Sequence, residues 1–179
     1  MPRMHPPSPA RIRPLRRLVR GTPARYPVAM SDMTLEELSA RTIVAANTLT
    51  LKPGQEAYVA PVSHSIAEAY VNPTTAWPRV VMEDGEVVGF IMGNFDPEAH
   101  EEIFRSCIWR INVDADAQGH GVGRFAVLAL ADEARARGFD RLTVVWEPGE
   151  DGPEEFFTHV GFEVIGETQY GESIGALAL

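Results

Sequence analysis

The 179-residue chain contains a single cysteine, Cys107, and a single lysine, Lys52, and each scarcity excludes a class of site. One cysteine cannot form an internal disulfide, so we expect the chain to fold in a reducing compartment, the cytoplasm. Lys52 is not part of a Gly-Lys-Ser or Gly-Lys-Thr sequence, which excludes a P-loop. No apolar run is long enough to cross a membrane, and the five histidines lack zinc-ligand spacing. We therefore expect neither membrane association nor a metal site.

Acidic residues are absent from residues 1–29, which hold seven arginines and seven prolines. Such a segment can bury little apolar surface, so we expect residues 1–30 to form a disordered extension, either a dispensable tail or an over-extended start. Residues 30–179 carry nine basic and all 25 acidic residues, a net charge of −16. This charge argues against nucleic-acid binding and favours either a well-solvated surface or a cationic partner.

Hydrophobic residues make up 45% of the sequence, enough for one domain with a sizeable core, which we place at residues 31–179. An Asp-Gly pair at 84–85, between two apolar runs, predicts a β-hairpin. Apolar and β-branched runs predict strands at 33–38, 79–82, 86–92, 104–113, 142–146, 162–167 and 172–177. Helical patterns cover 40–49, 53–58, 65–70, 122–137 and 153–159. Strands interleaved with helices indicate an α/β fold with a mixed sheet.

The most informative segment is a glycine-rich turn at residues 118–123, Gln-Gly-His-Gly-Val-Gly, between a predicted strand and a predicted helix. Glycines let the backbone adopt positive φ and approach a ligand closely, and the N–H groups at a helix start bind phosphate. A dinucleotide-binding fingerprint would require glycine at the position of Arg124. Gln118, Gly121 and Gly123 instead match Arg/Gln-x-x-Gly-x-Gly/Ala, the pattern of acyl-CoA-binding loops.

On these residues the chain resembles the GNAT superfamily of N-acetyltransferases, over roughly residues 31–179. A second landmark of that superfamily is a short helix followed by Gly-Phe at the start of a strand, and residues 153–162 match it. Within the superfamily the chain is most similar to bacterial diamine and spermine/spermidine acetyltransferase-like proteins. The segments that carry this resemblance are 55–61, 67–71, 109–110 and 148–150.

The resemblance implies a single-domain α/β fold in which a mixed, mostly antiparallel sheet is flanked by helices and splays into a V between two central strands, 107–113 and 142–146. It implies acetyl-CoA as the acyl donor and a primary amine as the acceptor, in a polyamine or a similar small cationic amine. An aminoglycoside, an amino acid or a protein N-terminus stays open as the acceptor, and so does a noncatalytic acyl-CoA-binding module. A homodimer is also left open.

The resemblance further implies which residues hold acetyl-CoA. The pantetheine arm would pair with backbone groups of residues 111–113 like an added strand, and the pyrophosphate would lie on the N–H groups of the glycine-rich turn. Gln118 would brace the turn or reach a phosphate, His120 would donate a hydrogen bond, and Arg124 would add positive charge. The full predicted set is Ile111, Asn112, Val113, Gln118, Gly119, His120, Gly121, Val122, Gly123, Arg124, Phe156 and Phe157.

Acetylation requires a deprotonated amine, although an aliphatic amine has a pKa near ~10.4. A carboxylate that removes this proton, directly or through water, is therefore expected near the two central strands. The candidates are Glu147 and Asp114, which follow those strands, and Glu101 and Glu102, which precede one of them. A backbone N–H near Val113 would stabilise the negative charge that develops on the thioester oxygen.

The departing thiolate poses a separate question, because Phe157 stands where many members of the superfamily use a tyrosine as the acid. Another proton donor could substitute, either His159, Tyr170 or a water molecule. The thiolate could instead leave unprotonated, since a thiol pKa near ~8.5 makes it a tolerable leaving group. As a third alternative, the protein could bind acyl-CoA with little catalysis. We favour a reduced dependence on an acid.

Trp109 and Arg110 are adjacent in a predicted strand, so we expect one to lie in the core and the other to face the acceptor cavity. Tyr58 and Tyr70 would either wall an amine pocket through cation–π contact or pack between helix and sheet. Cys107 lies in the same predicted strand, and we expect a buried core residue rather than a nucleophile.

Overall fold

The computed structural model describes residues 32–179, so the predicted extension at residues 1–30 lies outside the described part of the chain. Seven strands form a sheet in the order β1-β2-β3-β4-β5-β7-β6. The strands are β1 Met33–Glu37, β2 Ala76–Glu83, β3 Glu86–Phe95, β4 Ser106–Val113, β5 Arg141–Trp146, β6 Glu163–Glu167 and β7 Ser173–Ala178. The helices are α1 Ile43–Asn47, α2 Val62–Val71, α3 Val122–Ala136 and α4 Glu154–Val160, with 3₁₀ turns at Gln55–Ala57 and Glu102–Phe104.

All strand pairs in this sheet are antiparallel except β4–β5. The parallel pairing of β4 with β5 is limited to two residue pairs, Cys107–Thr143 and Ile108–Val144. Both strands continue beyond these pairs without bonding to each other, so they diverge towards their carboxyl ends. This divergence is the predicted V-shaped splay, and it opens at the edge where the glycine-rich turn follows β4.

Helices cover both faces of the sheet. On one face, the buried side chains of α3 pack in a core that includes Val81 and Ile91. On the other face, α1 and α2 pack in a second core that includes Val80 and Phe90. Successive residues of β2 and β3 therefore alternate between two cores, as expected for strands buried on both sides. This double burial explains why both strands are apolar without alternation in the sequence.

The structure confirms the predicted helices and strands in type and changes several bounds. β2 begins at Ala76, three residues earlier than predicted, because Pro78 lies beyond the last β1–β2 pair, where β2 is an edge strand that tolerates proline. α1 has only five residues and ends where the N–H and the hydroxyl of Thr48 both bond to Ala45 O. α2 begins at Val62, directly after Pro61, and is longer than predicted.

Candidate active site

The diverging strands enclose a cavity of about 710 Å³. Its walls come from residues 51–61, which connect α1 to α2, from β4 and the glycine-rich turn, and from the end of β5 with residues 147–153. A second cavity of about 430 Å³ lies at the opposite end of β5 and contains none of the predicted site residues. The larger cavity is therefore the candidate active site.

The three glycines of the turn are required for two different reasons. Gly119 and Gly121 have φ of +87° and +92°, a conformation that favours glycine. A Cβ at either position would meet no atom within 4 Å, so conformation rather than crowding selects glycine there. At Gly123, by contrast, a Cβ would lie 3.0 Å from Cε2 of Phe156. The close packing of α4 on the first turn of α3 therefore depends on this glycine.

The turn leaves a run of backbone N–H groups without acceptors. The N–H groups of Ala117 and Gln118 donate to Asp114 O, and helical hydrogen bonding of α3 starts with the N–H of Phe125. Within residues 32–179, the N–H groups of residues 119–124 donate no hydrogen bond. Six such groups at the positive end of a 15-residue helix suit an anion such as a diphosphate.

Gln118 braces this turn against two neighbouring segments. Its Nε2 donates to Val113 O at 3.1 Å and to Gln55 Oε1 at 2.7 Å. Gln55 Nε2 donates back to Gln118 Oε1 at 3.0 Å. The paired amides tie the glycine-rich turn both to β4 and to the connection between α1 and α2. Of the two roles predicted for Gln118, these contacts support the bracing role.

The edge of β4 that faces the gap presents backbone N–H groups. The N–H of Asp114, directly after β4, donates to the carbonyl oxygen of Val88 in β3 and therefore points towards β3. Because N–H groups alternate between the two edges of a strand, those of Ile111 and Val113 point away from β3 and towards the gap. Both residues line the cavity. This edge suits an added extended segment or a developing oxyanion.

Carboxylates dominate the charged side chains of the cavity. Glu56, Glu147, Asp151 and Glu172 line it. Among the lining residues that the structure describes, Arg110 is the one cationic side chain. The cavity therefore carries an excess of negative charge, which attracts small cations.

A β-bulge in β4 decides where two of its side chains lie. Met92 pairs with Arg110 and Gly93 pairs with Ile108, so Trp109 has no partner on β3. A bulge re-aims the side chains at its position, and Trp109 and Arg110 both line the cavity. Trp109 also packs against the core beside α1 and α2, so the expected core contact of one residue and cavity position of the other are both present, but Trp109 reaches the cavity as well.

This arrangement agrees with a comparison against families of known proteins. The family model described as "Acetyltransferase (GNAT) family" matches residues 45–162, about two thirds of the chain, including the glycine-rich turn and the Gly-Phe landmark. The chain belongs to the GNAT acetyltransferase family. The superfamily, the fold class and the acetyltransferase class predicted from the sequence are thereby confirmed.

Individual proteins that resemble this GNAT chain match it either over a short segment or at low sequence identity. An L-2,4-diaminobutyric acid acetyltransferase from Virgibacillus pantothenticus is 41% identical over 56 residues, 31% of this chain and 33% of that protein, so the match spans about a third of the curated relative. The ribosomal-protein-S18-alanine N-acetyltransferase from Escherichia coli is 20% identical, with a TM-score of 0.59 over 82% of this chain and 93% of that chain. The paia N-acetyltransferase from Thermoplasma acidophilum in complex with coenzyme A is 13% identical, with a TM-score of 0.62 over 82% of this chain and 99% of that chain. At these identities the two solved structures show the fold alone. The predicted acyl donor, acetyl-CoA, is confirmed at the level of the family.

The GNAT cavity collects most, but not all, of the predicted donor residues. Among the others, Asn112 is buried and its Nδ2 donates to Ala60 O at 3.2 Å. Val122 is buried in the core of α3, and Arg124 Nη1 donates to His159 O at 3.3 Å. His120 and Gly121 are exposed beside the cavity and do not line it. The predicted donor residues that line the cavity are Ile111, Val113, Gln118, Gly119, Gly123, Phe156 and Phe157.

Asp114 is placed in a structural role rather than in the cavity. Its Oδ2 accepts hydrogen bonds from the Thr50 N–H at 2.9 Å and the Thr50 hydroxyl at 3.1 Å, and its Oδ1 accepts from the Asp116 N–H at 3.2 Å. These bonds, chiefly that from the Thr50 N–H, lower the pKa of Asp114. A carboxyl group with a lowered pKa that holds two segments together is a weak base. The predicted base at Asp114 is corrected on these grounds, whereas Glu147 does line the cavity.

Neither predicted substitute acid lines the cavity. His159 is exposed on α4, with Nδ1 2.8 Å from Glu155 O. Tyr170 is 82% exposed, between β6 and β7. These positions do not support the acid role predicted for either residue. Of the two predicted pocket tyrosines, Tyr58 lines the cavity, and Tyr70 is 85% exposed on α2.

Phe157 closes the cavity with an aromatic stack. It is 3% exposed and stacks on Trp146, with ring centroids 5.4 Å apart. Phe156 and Phe162 each pack edge-on against the ring of Phe157. Because Trp146 ends β5, this stack forms an apolar wall at the point where β4 and β5 diverge.

Cys107 is a core residue, as predicted. It is buried in β4, and burial raises the pKa of its thiol to about 12. Among residues 32–179, no three His, Cys, Asp or Glu side chains group to hold a metal ion. In the same part of the chain, no helix is both long and apolar enough to cross a membrane.

Sequence reasoning missed four carboxylates at or beside the cavity. Glu56 and Glu68 lie in segments 55–61 and 67–71, which carried the subgroup resemblance, so that signal could have singled them out. Asp151 and Glu172 carry no comparable signal, because only the fold brings the β5–α4 connection and the start of β7 to the cavity.

Proposed function

We propose that this protein transfers the acetyl group of acetyl-CoA to a primary amine of a small cationic acceptor, with a polyamine such as spermidine as the first choice. The observation that carries the proposal is the charge of the cavity. Four carboxylates line it, and the guanidinium of Arg110 is already paired with Glu68 at 3.1 Å. A protonated polyamine carries several positive charges, so this cavity concentrates it by electrostatic attraction.

The residues present fit the donor. The free N–H groups of residues 119–124 suit the diphosphate, and the gap-facing edge of β4 suits the pantetheine arm. Acetyl-CoA supplies the activated acyl group as a thioester. We assign the backbone N–H of Val113 to the developing negative charge on the carbonyl oxygen.

We assign the role of base to Glu147. It directly follows β5, is exposed and lines the cavity. A carboxylate at this position can take the proton from the acceptor ammonium, directly or through one water molecule. This assignment makes the acceptor amine approach from the side of the β5–α4 connection.

The proposal includes no acid from α4. Phe157 has no proton to give, and His159 does not line the cavity. A thiol pKa near ~8.5 makes the thiolate a tolerable leaving group. The departing sulfur therefore does not require a side-chain acid.

Release of free thiol from acetyl-CoA, measured with and without each amine of a panel, tests this function. Spermidine should raise the rate well above the amine-free rate, and added salt should lower it by screening. Glu147→Gln should lower kcat/KM for spermidine about 100-fold or more, whereas Glu36→Gln, at an exposed carboxylate on β1, should leave it unchanged. Thiol release that no amine accelerates would refute acetyl transfer, and no release with any amine would favour a noncatalytic acyl-CoA-binding module.

A diamino acid is the second candidate acceptor. The 41% identity with the diaminobutyric acid acetyltransferase favours it, and its carboxylate would find a cationic partner in Arg110. 2,4-Diaminobutyrate therefore belongs in the panel beside spermidine. The ratio of the two kcat/KM values decides between the acceptors.

The domain bounds, the oligomeric state and the location stay predictions. A chain that begins at Met30 should keep the turnover of the full chain, as expected for a dispensable extension. Light scattering tests for a homodimer, and cell fractionation tests for the cytoplasm.

A further inference from the structure

Glu68 of α2 receives two hydrogen bonds from the wall of the cavity. Its Oε1 accepts from Arg110 Nη2 at 3.1 Å, and its Oε2 accepts from Trp109 Nε1 at 3.1 Å. His64, one turn earlier on α2, has Nε2 3.6 Å from the same Oε1. Both members of the Glu68–Arg110 pair are about one quarter exposed, so this ion pair is less screened than a surface pair.

The β-bulge makes this double contact possible. In a regular strand, the side chains of two successive residues point to opposite faces. Because Trp109 is the extra residue of the bulge, its side chain and that of Arg110 both reach one carboxylate on α2. Glu68 therefore positions two adjacent cavity-lining side chains at once.

Arg110 is held by its own strand and by Glu68. Nη1 donates to Trp109 O at 2.7 Å and Nη2 donates to Glu68, while Nε is buried without a partner in the described chain. Among the described lining residues, no other side chain carries a positive charge. A guanidinium is the preferred partner of a carboxylate, so an unpaired Arg110 would attract acceptors that carry one.

We propose that Glu68 sets the acceptor class by cancelling the charge of Arg110, so that the cavity selects amines without a carboxylate over amines that carry one. This inference rests on the proposed function and names the residue that decides between its two acceptors. Glu68 does not line the cavity itself. It acts through Arg110 and is a positioning residue.

Glu68→Gln removes the negative charge and keeps the length of the side chain and one oxygen for Trp109. Its KM for spermidine should rise about tenfold, while kcat changes less than about threefold, because the change alters binding and not the base. Its KM for 2,4-diaminobutyrate should fall. The ratio of kcat/KM values should therefore move about tenfold or more towards the diamino acid.

A double-mutant cycle separates charge cancellation from a general loss of negative charge. In an Arg110→Gln background there is no guanidinium to cancel, so Glu68→Gln should change the acceptor ratio no more than the loss of one negative charge elsewhere in the cavity wall does. Glu172→Gln is the matched control, because it removes the same charge from the cavity wall without touching Arg110. Glu172→Gln should change the acceptor ratio by the same factor in the natural protein and in the Arg110→Gln variant. Thermal unfolding of each variant shows that the comparison is made on folded protein.

Calorimetry of both amines, with the enzyme holding CoA, gives a readout that does not depend on turnover. The same coupling between positions 68 and 110 should appear in the Kd values. Additive shifts, or a Glu68→Gln effect equal to that of Glu172→Gln in both backgrounds, would overturn the proposal. If neither amine is acetylated, the proposed function fails, and the Kd values still decide the role of Glu68. If neither amine binds to any variant, both proposals fail.

Discussion

The cavity has two proposed functional parts, a donor end and an acceptor end, and they use different kinds of groups. The proposed donor end consists of backbone groups, namely six successive N–H groups and the gap-facing edge of β4. The proposed acceptor end consists of side chains from separate parts of the chain, the carboxylates of Glu56, Glu147, Asp151 and Glu172. A backbone site depends on conformation, whereas a side-chain site can be changed one residue at a time. We therefore expect changes at the donor end to weaken CoA binding, and changes at the acceptor-end carboxylates other than the proposed base Glu147 to alter the choice of amine.

The largest effect on CoA binding is expected at Gly121. Gly121→Asp places a side chain on a residue with φ of +92° and brings a negative charge beside the expected diphosphate. The Kd for CoA, measured by calorimetry, should rise on the order of 100-fold, which corresponds to about 2.7 kcal/mol.

Gly138→Asp is the matched control, because Gly138 follows the other end of α3 with φ of +88° and, like Gly121, has no atom within 4 Å of a built Cβ. Both variants should lose about 1 kcal/mol of unfolding free energy from backbone strain. Gly138→Asp should keep the Kd for CoA within about twofold, since it lies away from the anion site. A folded Gly121→Asp protein with normal CoA affinity would place the donor elsewhere.

The Gln55–Gln118 pair joins the two ends of the cavity, so its removal tests whether they bind their substrates independently. Gln118→Ala removes both the brace to Val113 O and the link to Gln55, so the KM values for acetyl-CoA and for the amine should each rise about tenfold. Gln55→Ala keeps the brace to Val113 and should raise the KM for the amine alone. Steady-state kinetics with each substrate varied in turn measures both effects. Equal increases in the acetyl-CoA KM for the two variants would show that the ends form one unit.

Features of the site formed by contiguous residues could be predicted from the sequence, whereas features formed by contacts between distant segments could not. The glycine-rich turn was predictable because its ligand groups are contiguous and its conformation demands glycine at Gly119 and Gly121. β4 and β5 were recognisable as strands from their apolar, β-branched residues. The splay between them, in contrast, came from the family resemblance, since no local pattern specifies a two-pair ladder.

At the acceptor end, the position of each side chain depends on contacts between segments that are distant in the sequence, so local patterns did not predict it. Asp114 follows a central strand, as a base would, but its role is decided by Thr50, 64 residues earlier. The orientation of Trp109 and Arg110 depends on a register shift between β3 and β4, which the sequence of β4 alone does not encode. Glu68 contacts Trp109 and Arg110 because the fold places α2 over that bulge, an arrangement that the sequence of α2 alone does not specify.

A smaller effect is expected at Phe157, where the question is whether an acid at the end of the donor site limits the rate. Phe157→Tyr adds one hydroxyl to a ring that lines the cavity and stacks on Trp146. Because a thiol of pKa near ~8.5 leaves without an acid, kcat should stay within about threefold of the original value. A rise of tenfold or more in thiol release would instead show that proton donation limits the natural protein. Urea unfolding of the same variant records any cost of burying the hydroxyl.

The smallest effect is expected at Asp114, which joins β4 to the acceptor-side connection through Thr50. Its folded-state pKa is lowered chiefly by the Thr50 N–H, below an unfolded value of about 3.9. The carboxylate therefore contributes stability that is present above about pH 4 and is lost as the pH falls through the folded pKa. Asp114→Asn should lower the unfolding free energy by less than about 1 kcal/mol at neutral pH, since Asp114 is only partly buried and solvent screens its charge. The deficit should shrink in urea titrations as the pH falls through the folded-state pKa. Asp116→Asn, an exposed neighbour whose carboxylate accepts no hydrogen bond in residues 32–179, should show no such trend. A deficit for Asp114→Asn that is constant with pH would mean that shape, rather than charge, holds this junction together.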